Sequence, residues 1–129
     1  MKASPTARSL AYCRSKGWHA GVVEKWNPHA KVRHDLFGCI DIVAVMVIPD
    51  GPLDEIECPG EMIRGHSELV GIQACAGASH AARVAKVKAA PVLPHWIAAG
   101  GGIEVWSWSK QGPRGKRKVW SLRRERVTP

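Results

Sequence analysis

The chain has 129 residues, enough for one domain with one core and too few for two, so residues 1–129 are expected to form a single domain. Its apolar content of 45% is that of an ordinary soluble protein, and the longest apolar run, residues 42 to 49, is far short of the roughly 18–20 residues of a membrane helix. The net charge of +8 is uneven: residues 110–129 hold eight basic side chains against one acidic, which leaves the rest of the chain close to neutral and marks a basic patch suited to a polyanion.

Ser4 followed by Pro5 is a helix start and Gly17 a stop, which predicts a first helix over residues 5–16. The segment WHAGVVEKW predicts a strand through Trp26, broken at Asn27-Pro28, and residues 27–36 form a basic connection. Residues 38–48, GCIDIVAVMVI, form a nearly continuous apolar run of strand length, suited to a central strand covered on both faces. Residues 49–68 carry six acids, one arginine and several Pro and Gly, and read as an acidic loop or lid.

LVGIQACAG, residues 69–77, is a third strand, after which Ser79 caps a helix, HAARVAKVKAA, that ends at Pro91. A short helix from Pro94 to Ala99 leads into Gly100–Gly102, which reads as a hinge or turn. IEVWSWS and RKVWSLR then frame a basic turn, so the chain finishes in a hairpin and basic tail over residues 110–129. Trp106 and Trp108 share one strand face, suited to core packing or to base stacking.

The N-terminus lacks the apolar stretch of a secretory signal, so a cytoplasmic chain is expected. Cys13, Cys39, Cys58 and Cys75 are widely spaced with no CxxC pair, which favours packed, reduced thiols over zinc; Cys58 and His66 are the only pair that hints at a soft metal.

Asp41 stands out, because a carboxylate within an apolar strand costs several kcal/mol unless a partner or a metal compensates. A buried ion pair or a strand-end position would serve as well. Gln73 is the matching oddity on the third strand, either a buried amide bound to backbone or an oxygen donor. Together, on paired strands, the two would form a hard oxygen site of the kind Mg²⁺ prefers.

The segments DLFGCIDIVAV and VGIQACAGASHAARVAKV resemble the PD-(D/E)XK nuclease superfamily, in particular small phage and bacterial proteins similar to Holliday-junction resolvases or restriction endonucleases. The resemblance covers about residues 5–108 and implies an α/β fold with a restriction-endonuclease-like α-β-β-β-α-β core and the C-terminal hairpin appended. Asp41 falls on the second-strand aspartate. The acid of the third-strand motif falls on Gln73 and its lysine on Cys75, two departures that damage the half-motif.

Relatives can take the missing cation from a neighbouring helix, which makes Lys86 the candidate ahead of Arg83; a plain surface lysine is the other reading. Glu24 either completes the metal shell or is an ordinary exposed charge. Asp35 reads as a bend or supporting residue ahead of the second strand. The resemblance implies Mg²⁺, with Mn²⁺ as substitute, held by Asp41, the Gln73 carbonyl and the Ala74 main-chain carbonyl, and phosphodiester hydrolysis to a 5′-phosphate and a 3′-hydroxyl.

Arg114, Lys116, Arg117, Lys118, Arg123 and Arg124, with Arg8, Arg14 and Lys16 from the first helix, would then track the DNA backbone. A homodimer is expected if two strands of a branched DNA are cut symmetrically. The competing expectations are a nuclease fold that binds nucleic acid without cutting it, and a small interaction protein acting through its acidic loop and basic terminus.

Overall fold

The computed structural model describes residues 3–48, 54–58 and 61–129, with backbone alone for 54–58 and 61–66. Ser4 Oγ accepts the Ala7 N–H at 3.1 Å and Pro5 opens α1 (Pro5–Ser15), which ends ahead of Gly17 at φ +76°. The strands follow as β1 (His19–Val22), β2 (Lys25–Asn27), β3 (Val32–His34), β4 (Ile42–Ile48), β5 (Asp54–Cys58) and β6 (Glu61–Ala76). A 3₁₀ turn, Gly77–Ser79, leads into α2 (His80–Ala89) and α3 (Leu93–Ala98), and the chain closes with β7 (Gly102–Gln111) and β8 (Val119–Arg126).

The main sheet has the order β1-β4-β6-β7-β8, with β5 paired to the first part of β6. All its pairs are antiparallel except β6 with β7, which are joined through α2 and α3, as a parallel pair requires a crossover. The fold is therefore mixed α/β.

Side chains alternate between the two faces with the period of two that strands impose. On one face Ile42, Ala44, Met46, Val70, Ile72 and Trp106 pack with Cys13 of α1. On the other, Ile40, Cys75, Ile103, Val105 and Val127 meet Val87 of α2 and Leu93 of α3. Gly71 makes room here: a Cβ on it would stand 2.8 Å from Ile40 Cδ1, so with any other residue the Ile40 side chain would have to shift. Trp106 is fully buried with Tyr12 edge-on at 5.3 Å, and Trp108 donates to Ser9 Oγ at 2.9 Å, so both indoles serve packing against α1.

The structure corrects four expectations. The strand through Trp26 divides, because β1 ends at Val22 and β2 leaves the sheet to pair with β3. The 27–36 connection contains β3, turned back by Asn27, whose Oδ1 accepts the His29 and Ala30 N–H groups. Residues 54–58 and 61–68 of the expected acidic loop are paired strand, a state obscured in the sequence by the acids and the flanking Pro and Gly; the remainder of that expectation lies outside the described residues. Ser79 makes no side-chain cap, since the 3₁₀ turn occupies the place of a free N-terminus.

Among the described residues, no helix is long and apolar enough to cross a membrane. Cys13, Cys39 and Cys75 are buried free thiols. The Cys58 and His66 pairing falls on side chains outside those described.

Candidate functional site

The site begins with a tight turn. Leu36 and Ile40 form an isolated antiparallel bridge around Phe37 and Gly38, both in the left-handed region at φ +54° and +77°. That bridge places Asp35 directly across from Asp41. Asp41 also lies one step ahead of β4, across from Gln73, because the ladder pairs Ile42 with Ile72 and the Asp41 N–H donates to the Ile72 carbonyl at 2.9 Å. Both side chains lie on the sheet face covered by α2.

Asp41 Oδ2 accepts Gln73 Nε2 at 2.5 Å and the Ala74 N–H at 2.8 Å. Its main-chain carbonyl accepts the Val23 N–H at 2.9 Å, which brings the end of β1 alongside and with it Glu24. Glu24, Asp35 and Asp41 each offer one carboxylate oxygen, and the three oxygens lie within 4.8 Å of one another. Two cations border the group: Arg33 Nη1 is 3.2 Å from Glu24 and Lys86 Nζ is 2.9 Å from Asp35.

Asp41 is 3% exposed. Burial, then the hydrogen bond with Asp35, then the charges of Asp35 and Glu24 push its pKa up to about 7, against the Ala74 N–H, which favours the anion. Asp35 moves down: burial opposes ionisation, but the hydrogen bond from Asp41 and the Lys86 ammonium prevail. The two carboxyls titrate as a coupled pair, in which Asp41 is the one displaced toward its neutral form.

These donors fit a hard divalent cation. Three carboxylates converge, and Gln73 Oε1 is a buried oxygen with no hydrogen-bond partner, a donor in want of a ligand. Asp41, Gln73, Glu24 and Lys86, taken from distant parts of the sequence, meet here. Ala74 enters differently from expectation, through its N–H on Asp41. Cys75 is buried in the core, and the ammonium beside Asp35 is that of Lys86 in α2.

Asp35, expected only to support a bend, is a full member of the cluster. The placement of Asp35 and Asp41 three residues either side of Gly38 allows a turn between them, but the face-to-face arrangement depends on Phe37 at positive φ, which the sequence does not announce.

No protein-family model matches this chain, and no curated protein or solved structure matches it.

The basic residues divide into groups. Arg114, Lys116, Arg117 and Lys118 lie in the exposed connection between β7 and β8, and Arg123 is exposed on the sheet face that carries Asp41. Arg124 requires a correction. It points to the opposite face, where Nε and Nη2 donate to the buried Glu104 at 2.9 and 3.3 Å and its guanidinium lies 5.0 Å from the Trp106 ring.

Arg126 joins the same carboxylate at 3.0 Å, and Trp106 Nε1 donates to it at 3.0 Å. Burial alone would raise the Glu104 pKa, but the arginines and the indole hold it below the usual range. Arg8 stacks on Trp120 at 3.8 Å, Lys16 lies 5.4 Å from the Tyr12 ring, and Arg14 sits in the last turn of α1. All three belong to the α1 side, away from the acidic cluster.

Proposed function

We propose that this chain is a metal-dependent endonuclease that hydrolyses phosphodiester bonds in DNA, branched DNA among them, with Mg²⁺ as its cofactor and Mn²⁺ as a substitute. The carrying observation is the convergence of Glu24, Asp35 and Asp41 with a cation from α2 at 2.9 Å from Asp35. The path α1-β1-β4-β6-α2-β7, three antiparallel strands and then a parallel one, agrees with the nuclease core that the resemblance implies.

Glu24, Asp35, Asp41 and the Gln73 amide oxygen are the residues that would hold the metal. Bound there, a divalent cation supplies acidification of water and neutralisation of phosphate charge. The protein's own contribution is positional. Ala74 N–H and Gln73 Nε2 orient Asp41, and Lys86 keeps Asp35 ionised and places an ammonium where charge develops on the phosphate. Arg114, Lys116, Arg117 and Lys118 bind the DNA backbone. A homodimer would set two such sites on two strands.

The second reading is a nuclease fold that only binds. It is favoured by the neutral Gln73 and by Cys75 in the core. Labelled duplex, single-stranded and four-way-junction DNA, incubated with Mg²⁺, Mn²⁺ or EDTA, separates the two. Metal-dependent cutting that disappears in Asp41→Ala with binding retained supports the nuclease. Binding without cutting under every metal supports the binder.

A further inference from the structure

On the same sheet face as the acidic cluster, but on the far side of the start of α2, lies a cavity of about 450 Å³ lined by Gly77, Ala78, Ser107, Ser109, Ser121 and Arg123, with Gln111 at its edge. The ladders fix its place. Gln73 pairs with Val105 and Val105 with Glu125; two residues further along, Cys75 pairs with Ser107 and Ser107 with Arg123. With strand spacings of about 4.8 Å and rises of about 3.3 Å, the Cα of Ser107 lies about 8 Å from that of Gln73 and the Cα of Arg123 about 12 Å away.

The cavity is rich in donors. Ser109 Oγ accepts Gln111 Nε2 at 2.8 Å, which leaves its own hydrogen free. Ser121 Oγ has only a long bond to the Val119 carbonyl at 3.5 Å, easily exchanged for a better acceptor. Arg123 is 69% exposed at the mouth, 3.4 Å from Glu125.

The wall behind them is braced. His80, 3% exposed, places Nε2 3.1 Å from Glu125 and Nδ1 2.6 Å from Ser107 Oγ. A carboxylate only accepts, so Nε2 carries a hydrogen; in the neutral ring Nδ1 then accepts the Ser107 hydroxyl. This chain of hydrogen bonds spans α2, β7 and β8, and it engages Glu125, which also pairs with Arg123. Gly77 is needed in the opposite wall, since a Cβ there would meet Ser109 Cβ at 2.9 Å.

A guanidinium, the free Ser109 hydroxyl hydrogen and a Ser121 hydroxyl held only by a long bond, gathered in one small cavity, suit a phosphate group. Resting on the nuclease reading above, we propose that this cavity is a second phosphate subsite, which holds the backbone of the cleaved DNA strand one or two phosphates from the scissile bond. The strand would cross the start of α2, with the acidic cluster on one side and the Ser109, Ser121 and Arg123 donors on the other.

The test is run in EDTA, so that it is independent of cleavage. Backbone amide shifts are mapped with inorganic phosphate and with a short single-stranded oligonucleotide, for wild type, Arg123→Gln and the exposed control Lys88→Gln. The expected result is that the oligonucleotide shifts Gly77, Ala78, Ser109 and Ser121, and that Arg123→Gln lowers affinity at least fivefold and removes those shifts while Lys88→Gln preserves them.

Oligonucleotide shifts confined to residues 112–118 overturn the proposal, as does a cavity that responds to inorganic phosphate alone. Ser121→Ala, which removes a hydroxyl holding only a weak bond, must also weaken oligonucleotide binding. Absence of cleavage by wild type with metal would sink the nuclease reading, whereas the EDTA arm decides the subsite by itself.

Discussion

Asp35 and Asp41 face each other across the Phe37–Gly38 turn, with Lys86 anchoring Asp35 at 2.9 Å and the buried Asp41 keeping its proton up to about pH 7. The same hydrogen bond that raises Asp41 stabilises the Asp35 anion. A cation entering between them would replace that proton, so occupancy of the site and pH are linked through this pair.

The linkage has a definite sign. Asp41 titrates at about 7 in the folded protein against about 3.8 unfolded, so between these values the folded state holds more protons and metal-free stability falls as pH rises, levelling off above about 7. Asp35 and Glu104, both depressed, act oppositely: their stabilisation is present above their unfolded values and is lost as pH falls through the folded ones. Urea denaturation from pH 4 to 8 should show a fall toward neutrality that Asp41→Asn flattens. Parallel curves for the two proteins would contradict this assignment.

Gln73 donates to the buried Asp41, and its own Oε1 has no hydrogen-bond partner. Gln73→Glu should lower metal-free stability, because a further acid joins Asp41 in a buried position, and raise Mn²⁺ affinity by tenfold or more. Thermal melts with and without Mn²⁺ read both effects. Unchanged metal affinity would mean that the Gln73 side chain is not a ligand.

Glu104 and Arg124 form a structural ion pair. Removing the carboxylate with Glu104→Ala leaves Arg124 and Arg126 without their buried partner and should cost about 3–5 kcal/mol. Arg124→Gln should likewise lower stability, with little change in the salt dependence of DNA binding. A lower urea midpoint with an unaltered salt slope is the expected pair of readings.

The connection between β7 and β8 should behave conversely. Replacing Arg114, Lys116, Arg117 and Lys118 with Gln leaves stability within about 0.5 kcal/mol, as is usual for exposed positions. On duplex DNA the slope of log affinity against log salt should drop by about 0.9 for each phosphate that the protein no longer neutralises. Fluorescence anisotropy at several salt concentrations measures it, and an unaltered slope would remove this segment from the interface.

Gly71→Ala should destabilise by about 1–3 kcal/mol through overpacking against Ile40, and Ile40→Val in the same chain should recover part of the loss. Additive losses in the double variant would show that the two residues do not press on one another.

Asp41 and Gln73 were legible in the sequence because polar side chains in apolar runs demand compensation, although Asp41 stands one step ahead of β4 and not within it. Lys86 was legible only through the family resemblance, since nothing in a helix marks one lysine among several. Asp35 was not, because its approach to Asp41 needs Phe37 at positive φ, a conformation a bulky residue rarely takes and sequence does not announce. The binding of Arg124 to Glu104 was hidden for another reason: their pairing depends on the β7–β8 register across the basic connection, and a one-residue slip would send Arg124 to the other face. The β5–β6 pairing was obscured by Pro, Gly and acidic residues that read as loop.

The most direct measurement is Mn²⁺ binding by electron paramagnetic resonance at pH 8, for wild type and for Asp41→Asn and Lys116→Gln. Saturable binding by wild type and Lys116→Gln, weakened at least tenfold in Asp41→Asn, is the predicted result. Equal affinity in all three proteins, or no saturable binding in wild type, would contradict a metal centre built on Glu24, Asp35 and Asp41.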